Sequence, residues 1–189
     1  EFYYNKDEKV IYYYPYKAQN METAETYVGR VEQMATIFGE SKESRAGNFV
    51  FEDLAFKHGM WNEPSYYGMV MTQSDLCHEW EAPSSEKNPE YDGIKSPGQV
   101  KVNNAENITI KDCLFTCLGS SAMHFRDSVK NVKVEGNLIR DISGAGIIIG
   151  TTYHKNDDLA ATKVLPCENF MIRNNIIIFI ISFFIFLFI

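Results

Sequence analysis

Apolar and polar positions alternate along this chain in short runs broken by turns, and four of the runs share one frame. They begin at Asn48, Asn107, Asn131 and Asn169, and each reads Asn-Φ-x-Φ-x-x-x-x-Φ with Φ apolar. The second and third copies stand 24 residues apart and stay in register for almost a full repeat. That spacing pairs Ile108 with Val132, Ile110 with Val134, Phe115 with Ile139, Leu118 with Ile142, Met123 with Ile147 and Phe125 with Ile149. All are apolar, and period-two alternation predicts that they point inward. Thr109, Lys111, Lys133, Glu135 and Arg140 then point outward, and Gly144 and Gly146 mark a corner. Each repeat predicts about three short strands, stacked in parallel on the next repeat with a step of about 4.8 Å. The class predicted is all-β and solenoidal.

The flanks add elements of other kinds. Glu1 to Pro15 predicts a β-hairpin, with Phe2-Tyr3-Tyr4 and Val10 to Tyr14 as β-rich runs around a polar turn. Thr26 to Phe38 has poor helical spacing and an internal Gly29, which predicts strands ending at Gly39. Ser41 to Gly47 reads as a charged loop. Met60 to Gln99 reads as a long inserted loop holding Trp61, Trp80 and four of the six prolines, with a strand expected at Gly68 to Thr72. The organisation expected is 1–47 as hairpin and first strands, 48–177 as coils with the insertion 60–99, and 178–189 as an apolar tail. Asparagine heading each frame suits a turn, and stacked copies are expected to form an amide ladder. The same position explains Asn107-Ile108-Thr109 better than its reading as a glycosylation sequon.

Composition narrows the classes. A net charge of −7 with no basic run argues against nucleic acid as a partner. Aromatic residues make up 14 % of the chain, and core packing accounts for them ahead of sugar binding. The cysteines Cys77, Cys113, Cys117 and Cys167 form no C-x-x-C pair, so no zinc site, other metal or cofactor is expected. Cys113 aligns with Asn137 and is expected to face inward, while disulfides stay open.

The framed repeats, together with Asn137 to Gly150, resemble right-handed parallel β-helix proteins of the pectin-lyase-like fold. More narrowly, three segments resemble bacterial β-helix glycoside hydrolases of the fucosidase, xylanase and xylosidase types: Glu1 to Pro15, Phe51 to Trp61 and Asp141 to Ile147. The resemblance covers roughly Glu1 to Ile177. It implies a right-handed parallel β-helix with an N-terminal hairpin and a long inserted loop. It also implies a polysaccharide or oligosaccharide substrate and an extracellular, cell-surface or periplasmic location. Glycosidic bonds would be hydrolysed by two-carboxylate acid/base chemistry. A polysaccharide lyase and a non-catalytic glycan-binding surface module are the alternatives on the same fold.

The chain departs from that pattern after Ile177. Ile176 to Ile189 is apolar except for Ser182, shorter than the roughly 20 residues a bilayer helix needs. It reads as a short membrane anchor, a buried final strand pair, the apolar end of a mature protein, or an out-of-frame or truncated reading. The last is favoured. With a chain opening on Glu1, it makes a fragment the expectation.

Glycoside hydrolysis needs two carboxyl groups, about 5–5.5 Å apart in retaining enzymes and about 6.5–9.5 Å apart in inverting ones. No framed acid stacks on another: Asp141 aligns with Cys117 and Phe179, Asp127 with Thr151, and Asp112 with Gly136. A pair must then combine turn acids, Asp127 with Asp141, or Asp157 and Asp158 on the loop of His154. Asp141 and Asp127 are the catalytic candidates, although both also read as ordinary turn residues. His58, Trp61, His124, His154, Asp157 and Asp158 are the substrate-binding candidates. Against these stand a core cap for Trp61, a surface role for His124 and a solvated loop for the rest.

Overall fold

The computed structural model describes residues 2–62, 76–78, 93–95, 97–150 and 166–178. These hold sixteen strands: β1 (Phe2–Asn5), β2 (Val10–Tyr13), β3 (Ala35–Phe38), β4 (Ala46–Glu52), β5 (Ala55–Lys57), β6 (Leu76–His78), β7 (Gly93–Lys95), β8 (Gly98–Asn103), β9 (Ala105–Lys111), β10 (Leu114–Thr116), β11 (Ser121–Phe125), β12 (Lys130–Glu135), β13 (Leu138–Arg140), β14 (Ile147–Ile149), β15 (Glu168–Arg173) and β16 (Ile176–Ile178). Twelve of them form three parallel sheets of four strands. Sheet I runs β3-β8-β11-β14, sheet II β4-β9-β12-β15, and sheet III β5-β10-β13-β16. The chain visits I, II and III in turn and then repeats, which is the pattern of a parallel β-rich solenoid.

The expected right-handed β-helix with one hairpin and one inserted loop is corrected on this topology. The pairings define three open sheets, none closed on itself, and they define no hand. The span 60–99 is no plain loop either: it contains the antiparallel pair β6–β7 and the start of β8. Thr26 to Phe38 contributes one strand, β3. Its first part carries Arg30, Glu32 and Gln33, whose charges and amides do not alternate with apolar residues. The hairpin β1–β2 is present, with Tyr3 stacked on Tyr12 at 6.5 Å. The strand expected at Gly68 to Thr72 lies outside the described residues, as does the tail from Phe179 onward.

Register follows the hydrophobic frame residue by residue. All six apolar pairs read from the 24-residue spacing are direct partners across adjacent strands. The reason is the period of two: a slip by one residue would turn every apolar side chain outward. The inward set packs into one core that includes Val102, Ile110, Phe115, Phe125 and Val134, all fully buried. Phe56 stacks on Phe115 with centroids 4.7 Å apart, and Phe125 meets Phe170 edge-on at 5.3 Å.

Corners are fixed by left-handed backbone that recurs at the same positions of successive repeats. One column is Asn48, Asn107, Asn131 and Asn169; a second is Asp53, Asp112, Gly136 and Asn174; a third is His58, Cys117 and Asp141. Asparagine and aspartate tolerate positive φ because their short polar side chains bond to the local backbone. In the first column the amides form the expected ladder. Asn107 donates to Asn48 at 3.3 Å, Asn131 to Asn107 at 3.1 Å and Asn169 to Asn131 at 2.8 Å. Asn131→Ala, which removes two of these exposed bonds and strains φ, should lower unfolding free energy by about 1 kcal/mol. Urea denaturation checks this, and an unchanged midpoint would make the ladder decorative.

A second amide stack lies inside. The passage from sheet II to sheet III takes two residues in all four turns, and its second residue is Leu54, Cys113, Asn137 or Asn175. Asn137 Oδ1 accepts the Cys113 amide at 2.9 Å, and its Nδ2 donates to Ile110 O at 3.0 Å and Asn175 Oδ1 at 2.9 Å. Asn175 Nδ2 donates in turn to Val134 O at 2.8 Å. Cys113 faces inward as expected, its thiol donating to Lys111 O, and burial pushes that thiol up from its ordinary range.

Candidate functional site

Five of the eight candidate residues are described, and all five border sheet I. The strands of sheet I are entered from the corner of His58, Cys117 and Asp141, and they leave toward sheet II past Arg126 and Asp127. His124 stands between, on β11. His154, Asp157 and Asp158 lie outside the described residues.

Asp141 sits at the entry corner with φ 52°. Its carbonyl accepts the Leu118 amide at 3.1 Å, its Oδ2 accepts the Thr116 hydroxyl at 3.3 Å, and Arg140 Nε lies 3.8 Å away. At the exit corner the Asp127 amide donates to Asn103 Oδ1 at 3.1 Å, and its carbonyl accepts from the Asn104 amide at 2.9 Å. Strand β11 lies between the two corners, and its five residues alone span about 13 Å at the usual rise per residue. That exceeds both carboxyl separations that glycoside hydrolysis uses. Sheet I sets these two corners apart by the length of a strand.

His58 heads the same corner column as Asp141, with φ 60°. Its ring stacks on Tyr27 at 4.0 Å and 7°, and Tyr27 is exposed. The pair presents an aromatic face to solvent. Trp61 does not: it is 1 % exposed, with its backbone packed over Gly119. A buried indole offers no face to a ligand, and the exposed aromatic surface at this corner is that of Tyr27 on His58. Gln99 lies beneath the same segment, donating to Ser120 Oγ at 2.6 Å and to Met60 O at 3.4 Å.

His124 was expected on the surface because Met123 and Phe125 point inward. It does lie on the outer face, but it is only 5 % exposed, with Nε2 3.0 Å from Gly150 O. Gly98 of β8 lies against it, so close that a Cβ there would come 2.4 Å from the His124 amide nitrogen. Lys101 on β8 is the direct cross-strand partner of His124. Burial, then the neighbouring Arg126, hold the Lys101 ammonium below its ordinary pKa. Neither cation was singled out from the sequence, where Val100-Lys101-Val102 is merely one more alternating run. Their signal is three-dimensional: Arg126, just past the end of β11, acts on Lys101 of β8 from a different turn of the chain.

Among the described residues no group of three or more His, Cys, Asp or Glu could hold a metal ion.

No protein-family model and no curated protein matches the chain. The structure is similar to a solved structure named "Glycoside hydrolase", with a TM-score of 0.70 and 24 % sequence identity over 92 % of this chain. The match takes in 32 % of that protein, so this chain spans about a third of its length. At this identity the likeness establishes the fold.

Proposed function

We propose that this is a carbohydrate-active protein that holds a polysaccharide or oligosaccharide along the entry border of sheet I, at the exposed Tyr27 and its partner His58. The observation that carries the reading is the exposed stack of Tyr27 on His58, at the head of the corner column that also carries Asp141. The fold shared with a structure named glycoside hydrolase supports it. Stacked Tyr27 and His58 supply the apolar ring surface that a sugar's C–H face prefers, and Asp141 and Asp127 supply acceptors for hydroxyls.

Between turnover and binding, the strand-length separation of Asp141 and Asp127 favours binding. A strand-length span is longer than the carboxyl separation used in either stereochemical course. The test titrates the protein with a panel of neutral and acidic oligosaccharides and assays the same mixtures for cleavage. Binding without reducing-end release is expected. Tyr27→Ala should weaken it about 5-fold, because one stacked aromatic contributes on the order of 1 kcal/mol. Turnover abolished by both Asp141→Asn and Asp127→Asn would overturn the binding reading in favour of hydrolysis. No binding by any glycan would remove the proposal altogether.

A further inference from the structure

The hairpin of β1 and β2 is built unlike the coils. In a coil strand such as β12, exposed and buried side chains alternate. In β2 every side chain is exposed, Val10 and Ile11 as well as Tyr12 and Tyr13. Among the described residues β1 and β2 pair only with each other. Two strands alone are marginal in water and need a third strand or a covering layer. The aromatic load points the same way. Tyr3, Tyr12 and Tyr16 are 64 %, 53 % and 72 % exposed. With Tyr13 and Tyr14 they leave about 600 Å² in water, at roughly 200 Å² for a whole tyrosine. That is the upper end of what a monomer's largest apolar patch exposes.

The unmet demand lies in the backbone edge more than in the phenols. Tyr12 donates its hydroxyl hydrogen to Glu8 at 2.9 Å, and Tyr13 donates to Gln19 Oε1 at 2.6 Å, so both hydroxyls are bonded within the chain. The outer edge of β2 has no strand beside it among the described residues. Such edges are ordinarily blunted by a charge, a proline or a bulge within the strand. Val10 to Tyr13 holds none of these, and its pairing with β1 is continuous. Charge selects the occupant. Two copies of a chain of net charge −7 repel over most of their surface, but residues 2–16 carry only Lys6, Asp7, Glu8 and Lys9, which sum to zero. The edge also matches itself. Two β2 strands running antiparallel about a two-fold axis set Tyr12 opposite its own copy, Ile11 opposite Tyr13 and Val10 opposite Tyr14. Every facing pair is then aromatic or aliphatic, the kind of cross-strand pair that stabilises a sheet. The stack of Tyr3 on Tyr12, with centroids 6.5 Å apart, continues into the same stack of the second copy.

We propose that the outer edge of β2 joins two copies of this chain, hairpin to hairpin, in a four-stranded antiparallel sheet ordered β1-β2-β2-β1. Edge pairing covers β2 side chains on both faces at once, which a sugar chain lying on one face does not. It buries less than the roughly 800 Å² per partner of a standard interface, so the dimer is reversible, with a Kd on the order of 10 µM. The glycan reading above is independent of it.

The test is sedimentation velocity of the full chain, from well below to well above that concentration. A monomer passing reversibly to a dimer is expected. Tyr12→Lys sets two ammonium groups face to face on the axis and should weaken association about 10-fold, with an unchanged thermal midpoint showing that the coils stay folded. Tyr12→Cys gives a readout that does not rest on affinity. Mild oxidation should join two copies through a disulfide at position 12, mapped by peptide mass spectrometry, whereas Ile11→Cys, facing Tyr13, should stay uncrosslinked. A chain that is monomeric throughout overturns the interface, as does association that Tyr12→Lys leaves unchanged. Crosslinking by both cysteine variants alike overturns it too, since contact would then lack register. A monomer whose Tyr12→Lys variant loses oligosaccharide binding overturns it in favour of a glycan at this edge.

Discussion

Asn137→Leu is expected to cost about 4 kcal/mol of unfolding free energy, several times the loss from Asn131→Ala. The residue type is the same and both amides bridge adjacent turns, so the comparison isolates burial. Asn137 is 1 % exposed. Leucine preserves its approximate volume but leaves the Cys113 N–H and the Ile110 carbonyl without partners in the interior. Each buried orphan costs about 1–3 kcal/mol, whereas the exposed Asn131 ladder can exchange its bonds for water. Denaturant unfolding of both variants measures the difference. Amide hydrogen exchange at Cys113 should accelerate in Asn137→Leu only. Equal costs would mean that water reaches the inner stack and that its amides are not structurally special.

Phe115→Ala should cost about 3–5 kcal/mol, the range for deleting a fully buried aromatic side chain. Phe115 lies in a middle turn, with Phe56 stacked on one side and Ile139 as its strand partner on the other. A void there is lined from above and below, and the sheets cannot collapse into it without breaking register. Phe49→Ala supplies the control. Phe49 lies midway along the edge strand β4 and is 42 % exposed, so its loss should cost less than half as much. In a stack whose stability sums over neighbouring turns, the middle is where one residue contributes to two interfaces. If both variants lose the same amount, the nearest-neighbour picture of this solenoid is wrong.

What could be read from the sequence follows from which forces are periodic. Inward residues repeat every second position and every turn, so the partners of Ile108, Phe115 and Met123 were legible in advance. So were the Asn48 to Asn169 ladder and the inward Cys113. Hand was not legible, because alternation is the same in either sense. Nor was the pair β6–β7, since three-residue strands leave too short a pattern to separate from a turn-rich loop. At the candidate site, alternation assigned His124 to the outer face but could not show that the face is covered there. It flagged Trp61 for its aromaticity without showing that the ring is buried. It passed over Lys101 and Arg126 because each is unremarkable until the charge of one acts on the other. Asp141 and Asp127 were chosen for their chemistry, and the distance between them depends on how many strand residues intervene.

The invariant two-residue passage from sheet II to sheet III has a consequence for how this molecule can change. Asn137 and Asn175 weld that edge from inside, and an added residue there would displace a buried amide from its partners. The other two edges carry no such constraint. Between β5 and β8, between β3 and β4, and between β14 and β15, the chain departs for longer excursions. Both permissive edges border sheet I, and the rigid edge is the one opposite it. New loops, acquired by descent or grafted in the laboratory, can therefore rim only one complete face of the stack. That face is bordered by the exposed stack of Tyr27 on His58, so diversification of ligand preference and conservation of the core are assigned to different sides of the same coil.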